Sequence, residues 1–261
     1  MDVLIVGAGA MGTWIGRALD APVTFADVDA DAAAAAAETV PDATAVSLAS
    51  SDDGEATAIE DRYDLVCLAV PMIHVTDAIA AHADRASEAI IDVSGVMAPA
   101  LEAMAEHAPD CERVSLHPLF APERAPGSIA VVRDESGPVT EALLESLDDR
   151  GNSLLETTAT EHDEAMETVQ AATHAAVLSF AIAAKPVPEG FETPIYDQLA
   201  TLATQMTGGT PRVYADIQET FAGADAVADA ATRVADADSA ELEALYREAT
   251  QTWQTADGDS L

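Results

Sequence analysis

Six residues near the N-terminus constrain the fold more than any others: Gly7-Ala8-Gly9-Ala10-Met11-Gly12. The apolar run at 3–6 reads as a buried strand, and 14–19 reads as a helix. A G-x-G-x-x-G turn between strand and helix gives each glycine a task. One makes the sharp turn, one lets the backbone approach a diphosphate, and one packs helix on strand. The helix start then offers amide donors and partial positive charge to phosphate. The motif alone is a weak signal, and its flanks are what strengthen it. Gly7, Gly9, Met11 and Gly12 are therefore expected at a dinucleotide.

Such a turn is completed by an acid about 20 residues on. Asp27 stands at the end of a second apolar run, 23–25. A carboxylate there accepts hydrogen bonds from ribose hydroxyls and repels a 2′-phosphate, which favours NAD over NADP. No Arg or Lys lies near it in sequence to welcome that phosphate. Asp29 and Asp31 compete for the role, and a helix cap is the plain structural use of such an acid.

Further strand signals fall at 65–70, 89–93, 113–116 and 129–132, with helical stretches between them, including an alanine run at 32–37. Alternating strands and helices imply a mostly parallel sheet covered on both faces. After about residue 158 the strand signals stop. Helices are expected at 161–184, 194–206, 211–221, 224–234 and 240–253. The expected fold is α/β: a Rossmann-type doubly wound sheet over 1–158, then an all-helical domain over 159–261. The two cysteines, Cys67 and Cys111, read as reduced thiols, and no metal-ligand spacing is present, so no metal is expected.

Several stretches together resemble the prephenate dehydrogenase family of tyrosine biosynthesis. They are Leu68-Ala69-Val70-Pro71-Met72-Ile73-His74, Ile91-Asp92-Val93-Ser94-Gly95, His117-Pro118-Leu119-Phe120, Glu161-His162-Asp163 with Gln170 and His174, Pro194-Ile195-Tyr196, and Tyr214-Ala215-Asp216. The resemblance runs from residue 3 to the region of Trp253. It implies NAD-dependent oxidative decarboxylation of prephenate to 4-hydroxyphenylpyruvate, without chorismate mutase activity. His117 takes the catalytic role, accepting the proton of the ring hydroxyl. His117 also follows an expected strand, where open α/β sheets bind ligands. An ordinary histidine pKa near ~6.5 would make activity fall below that pH. His174, Gln170 and Ser94 are implied substrate ligands, and Val70, Pro71 and His74 border the cofactor. His162 and Asp163 read as first-turn helix residues, where an acid suits the helix dipole.

The match also departs from the family. Where the family shows Asp-x-x-Ser-Val-Lys, aligning the aspartates puts Gly95 at the serine and Met97 at the lysine, with Ser94 one position early. The helix after Pro-Ile-Tyr normally carries a carboxylate-binding arginine, and Gln205 stands there. A bidentate Arg is the strong way to hold a carboxylate. Arg124, close after His117, is the best-placed replacement, with Arg212 and Arg17 behind it. Three alternatives stay open: arogenate as substrate, another NAD(P)-dependent hydroxy-acid or imine oxidoreductase, and a non-catalytic sensor of NAD or prephenate. Lys185 is the only lysine, and it sits at a helix end beside Pro186, a poor place for the catalytic lysine of such reductases. The alanine-rich C-terminal helices suggest a homodimer.

Charge narrows the setting. Eleven Lys and Arg against 47 Asp and Glu give a formal charge of -36. The acids run along the whole chain and form a coat, not a tail. Nucleic acid and anionic membrane surfaces are disfavoured as partners, because phosphate binding needs clustered cations. The N-terminus lacks the basic start of a signal peptide, so a cytoplasmic protein is expected. Self-repulsion of this size opposes compactness in dilute salt. At ~1 M salt the Debye length falls to ~3 Å and the repulsion is screened. The expected setting is a cytosol with molar salt. Thermal unfolding should therefore show a markedly higher midpoint in molar KCl than in dilute buffer, and an unchanged midpoint would remove the halophilic reading.

Overall fold

A computed structural model describes residues 1–48 and 62–258. The chain divides into two compact units, Met1–Met166 and Glu167–Leu261. The division comes one short helix later than the boundary expected after residue 158, because Ala159–Met166 packs with the first unit.

The first unit alternates as expected. Its elements are β1 (Val3–Val6), α1 (Ala10–Ala18), β2 (Val23–Asp27), α2 (Ala30–Glu38), β3 (Thr44–Ser47), β4 (Tyr63–Leu68) and α3 (Val75–His82). There follow β5 (Ala86–Asp92), α4 (Ala98–His107), β6 (Glu112–Pro118), β7 (Ser128–Glu135), α5 (Pro138–Asp149), β8 (Ser153–Glu156) and α6 (Ala159–Met166). The described strands form one sheet in the order β3-β2-β1-β4-β5-β6-β7-β8. All neighbours run parallel except β6 and β7. β1 is buried along its whole length and β4 nearly so, as parallel strands covered on both faces must be. The chain leaves β1 in one direction to build β2 and β3, then crosses back to β4. That reversal opens a crevice at the carboxyl ends of β1 and β4, the usual ligand position in such sheets.

In the second unit, a π-helical turn over Glu167–Ala172 leads into α7 (Thr173–Ala183), then α8 (Pro194–Thr207), α9 (Pro211–Thr220), α10 (Ala224–Asp236) and α11 (Ser239–Gly258). The single helix expected over 161–184 is thus broken by one wide turn. Widening frees a carbonyl, and Gln218 Nε2 donates to Ala171 O at 2.8 Å. A Cβ at Gly223 would run into Glu167 O, so only glycine lets α10 start against this turn. Among the described residues no helix is long and apolar enough to cross a membrane.

Gly16 shows how closely α1 lies on the sheet. A Cβ there would stand 2.5 Å from Phe25 Cζ and 3.2 Å from Ile5 Cδ1, both on fully buried side chains. Gly16→Ala gains ~1 kcal/mol of helix propensity. It overpacks a rigid seam at about 1–3 kcal/mol. The clash should win, and calorimetry should record a lower melting temperature; a rise would mean that the seam is loose.

Candidate active site

The Gly-rich turn and the end of β4 build one end of the site. Gly7 has φ +100°, and a Cβ on it would collide with Ala69 O. The backbone after β1 therefore lies directly against the segment carrying Val70 and Pro71. Gly12 faces Gly7 O with no room for a side chain, which fixes α1 on its own turn. Gly9 differs: nothing lies within 4 Å of where its Cβ would be. It leaves a cradle open at the start of α1, whose first turn holds no acid and half-buries Met11. Asp27 closes the turn. Its Oδ2 accepts from Ala8 N at 2.7 Å and its Oδ1 from Asp29 N at 2.9 Å. Its rival Asp29 is taken up as the cap of α2, accepting from Asp31 N and Ala32 N. Val70 is half-buried, while Pro71 and His74 are exposed in the turn before α3.

The other end is built around His117. Sequence placed it after a strand; it lies within β6, paired with Ala130 of β7, and is only 8% exposed. Its Nδ1 is 2.8 Å from His162 Nε2. His162, buried on α6, sets its own Nδ1 2.7 Å from Asp163 Oδ1. Asp163 also accepts from Met97 N at 3.1 Å and Ala98 N at 3.0 Å. Asp163 was expected to serve the dipole of its own helix. It instead seats on the N-terminus of α4. These donors hold its carboxyl below the usual range against the opposing effect of burial. His162 and Asp163 were missed as site residues, and their only sequence signal was the Glu-His-Asp adjacency.

Burial, reinforced by His162, pushes the His117 pKa down to about 3. The ordinary histidine value near ~6.5 is therefore not this ring's, because burial disfavours its charged form. On the far side of the ring lies Gly95. It has φ +93°, and a Cβ there would be 3.1 Å from His117 Nε2. Ser94 does not aim its hydroxyl at the ring. Its Oγ and its N–H both donate to Asp92 Oδ2. Asp92 is fully buried, and desolvation pushes its carboxyl up to about 6 against the two Ser94 hydrogen bonds.

Arg124 ends an exposed 3-10 turn after β6 and makes no ion pair among the described residues. In the second unit, Gln170 lies in the π turn. His174 meets Tyr214 edge to face, with ring centroids 5.0 Å apart. Gln205 is exposed on α8. Arg212 is not spare, since its Nε sits 2.6 Å from the buried Asp216.

No family model matches the chain. The 4-amino-4-deoxyprephenate dehydrogenase of Streptomyces pristinaespiralis is 34% identical over 252 residues, covering 88% of this chain and 81% of that protein. Among solved structures, the prephenate dehydrogenase of A. aeolicus, in complex with hydroxyphenyl propionate and NAD+, superposes with a TM-score of 0.66. It is 15% identical and covers 98% of both chains. The arogenate dehydrogenase of Synechocystis superposes at 0.58 with 15% identity, covering 98% of this chain and 100% of that one. These two share the fold, and the Streptomyces relative carries the kinship: the chain belongs to the prephenate dehydrogenase family of oxidoreductases.

Proposed function

We propose that this chain oxidatively decarboxylates prephenate to 4-hydroxyphenylpyruvate with NAD as oxidant. The observation that carries the reading is His117, a buried neutral imidazole at the carboxyl end of β6, in a sheet whose switch-point turn suits a dinucleotide. Gly7, Gly9, Met11 and Gly12 would hold the diphosphate, and Asp27 the ribose. Val70, Pro71 and His74 would border the nicotinamide end. The open cradle at Gly9 and the acid-free first turn of α1 support that fit. Bound NAD supplies a hydride acceptor.

His117 would accept a hydrogen bond from the ring hydroxyl while the ring carbon loses hydride. The electron pair of the bond to the departing carboxyl group then returns to the ring as carbon dioxide leaves, and the ring becomes aromatic. No proton is gained or lost overall, so the hydroxyl carries its proton at both start and finish. The histidine must relieve positive charge on oxygen only in passing, and a weak base that is always neutral suits this. Arg124 is the proposed partner of a substrate carboxylate, with Ser94, His174, Gln170 and Gln205 as further substrate ligands. A second substrate, 4-amino-4-deoxyprephenate, is favoured by the name of the Streptomyces relative, since an amine also donates a hydrogen to an imidazole acceptor. Arogenate differs only in the side chain, away from His117. We further infer a cytoplasmic homodimer joined through the C-terminal helices, which leave Val234, Leu242, Tyr246 and Trp253 exposed.

Purified protein in molar KCl with NAD and each substrate should produce NADH absorbance, fastest with prephenate. Tight binding without turnover of any of them would make the protein a sensor instead. His117→Asn should cut kcat by ~10²–10⁴, while NAD affinity holds within a few-fold. Asp27→Ala should weaken NAD and narrow its advantage over NADP. The acid limb of kcat should lie well below ~6.5; a limb at that value would contradict a buried neutral base. Light scattering tests the dimer.

A further inference from the structure

We propose that His162, held by Asp163, is a positioning residue that fixes His117 in the tautomer whose Nε2 carries no proton. The inference rests on the function proposed above and gives a role to two residues that sequence alone places only in the first turn of a helix.

The acceptor end of this chain of bonds fixes the rest. Asp163 receives two backbone N–H groups at the start of α4, Met97 on Oδ1 and Ala98 on Oδ2. A carboxyl group in that position is ionised and can only accept. The His162 Nδ1 at 2.7 Å must therefore be the donor. A neutral imidazole that donates from one nitrogen accepts at the other. His162 Nε2 is thus the acceptor in its 2.8 Å contact with His117 Nδ1, which carries the proton. The same rule applied once more leaves His117 Nε2 as an acceptor, on the side of the ring that faces Gly95. That is the nitrogen able to receive a hydrogen bond from a substrate hydroxyl or amine. The opposite tautomer would offer a donor there and could not relieve positive charge on the reacting atom.

The contacts also fix the ring's direction. His117 and His162 meet edge to face, with centroids 5.1 Å apart and planes at 71°. Neither ring can flip without breaking this chain of bonds. Both are buried, so water cannot replace the lost partner. His162 touches no reacting atom and acts only through His117.

The test reads protons before it reads rates. Imidazole 15N NMR of the parent protein at neutral pH should show His117 protonated on Nδ1 and not on Nε2. In His162→Phe, which keeps a buried ring and removes the acceptor, the proton should move to Nε2. The kcat should then fall by roughly 10²-fold or more, as a wrong tautomer does in other histidine catalysts. The dissociation constant for NAD should stay within threefold. A proton on Nε2 in the parent, or His162→Phe turning over at the parental rate, would overturn the proposal. If that variant fails to fold, the parent spectrum alone decides. Absence of turnover by the parent on every substrate would defeat the proposed function, yet the spectrum would still settle the tautomer.

Discussion

A carboxylate resting on two amides is the contact from which the site is built. Asp163 meets Met97 N and Ala98 N, so the α4 N-terminus finds the charge its dipole favours. The same oxygens hold His162, and His162 holds His117. One interaction thus ties three elements of the first unit, α4, α6 and β6. It also explains why α6 belongs to that unit although the chain runs on helically into the second. Removing the carboxylate would leave donors unsatisfied in a half-buried place, and the imidazole pair would lose its direction.

Burial then sets how basic His117 is. Desolvation disfavours the imidazolium, and the neighbouring His162 adds to that, so the pKa goes to about 3. For a reaction with net proton transfer this would be a poor base. For one in which a departing carboxyl group supplies the electrons, the demand is only for a fixed, neutral acceptor. Low basicity is then an advantage, because the group is never lost to protonation at working pH.

The sequence announced some of this plainly. The glycine turn between an apolar run and a helix placed β1, α1 and the crevice, because each glycine there meets a steric demand within a few residues. The central strands were legible for the same local reason: buried on both faces, they read as unbroken apolar runs. The edge strands β3 and β8 were not, since Thr44–Ser47 and Ser153–Glu156 are short and half-exposed and so carry no pattern. The π turn escaped because the groups that accommodate it, Gln218 donating to Ala171 O and Gly223 against Glu167 O, lie far along the chain. His162 escaped for a like reason. Its partner is 45 residues away, and helical periodicity says nothing about which buried ring it meets.

The departure at Asp92-Val93-Ser94-Gly95 also has a structural reading. A serine at position 95 would have to adopt φ +93° and put its Cβ 3.1 Å from the imidazole, so it would be strained and crowded. Placing glycine there removes both costs. The hydroxyl one position earlier turns back, with its own N–H, onto Asp92. Asp92 is fully buried, and these bonds offset part of the cost of its charge. The serine hydroxyl is thus spent on the Asp92 carboxylate, and the turn it stabilises presents the bare backbone of Gly95 to Nε2. With no side chain at position 95 to bond Nε2, His117 takes its polar side-chain contact from behind, at Nδ1, where His162 lies.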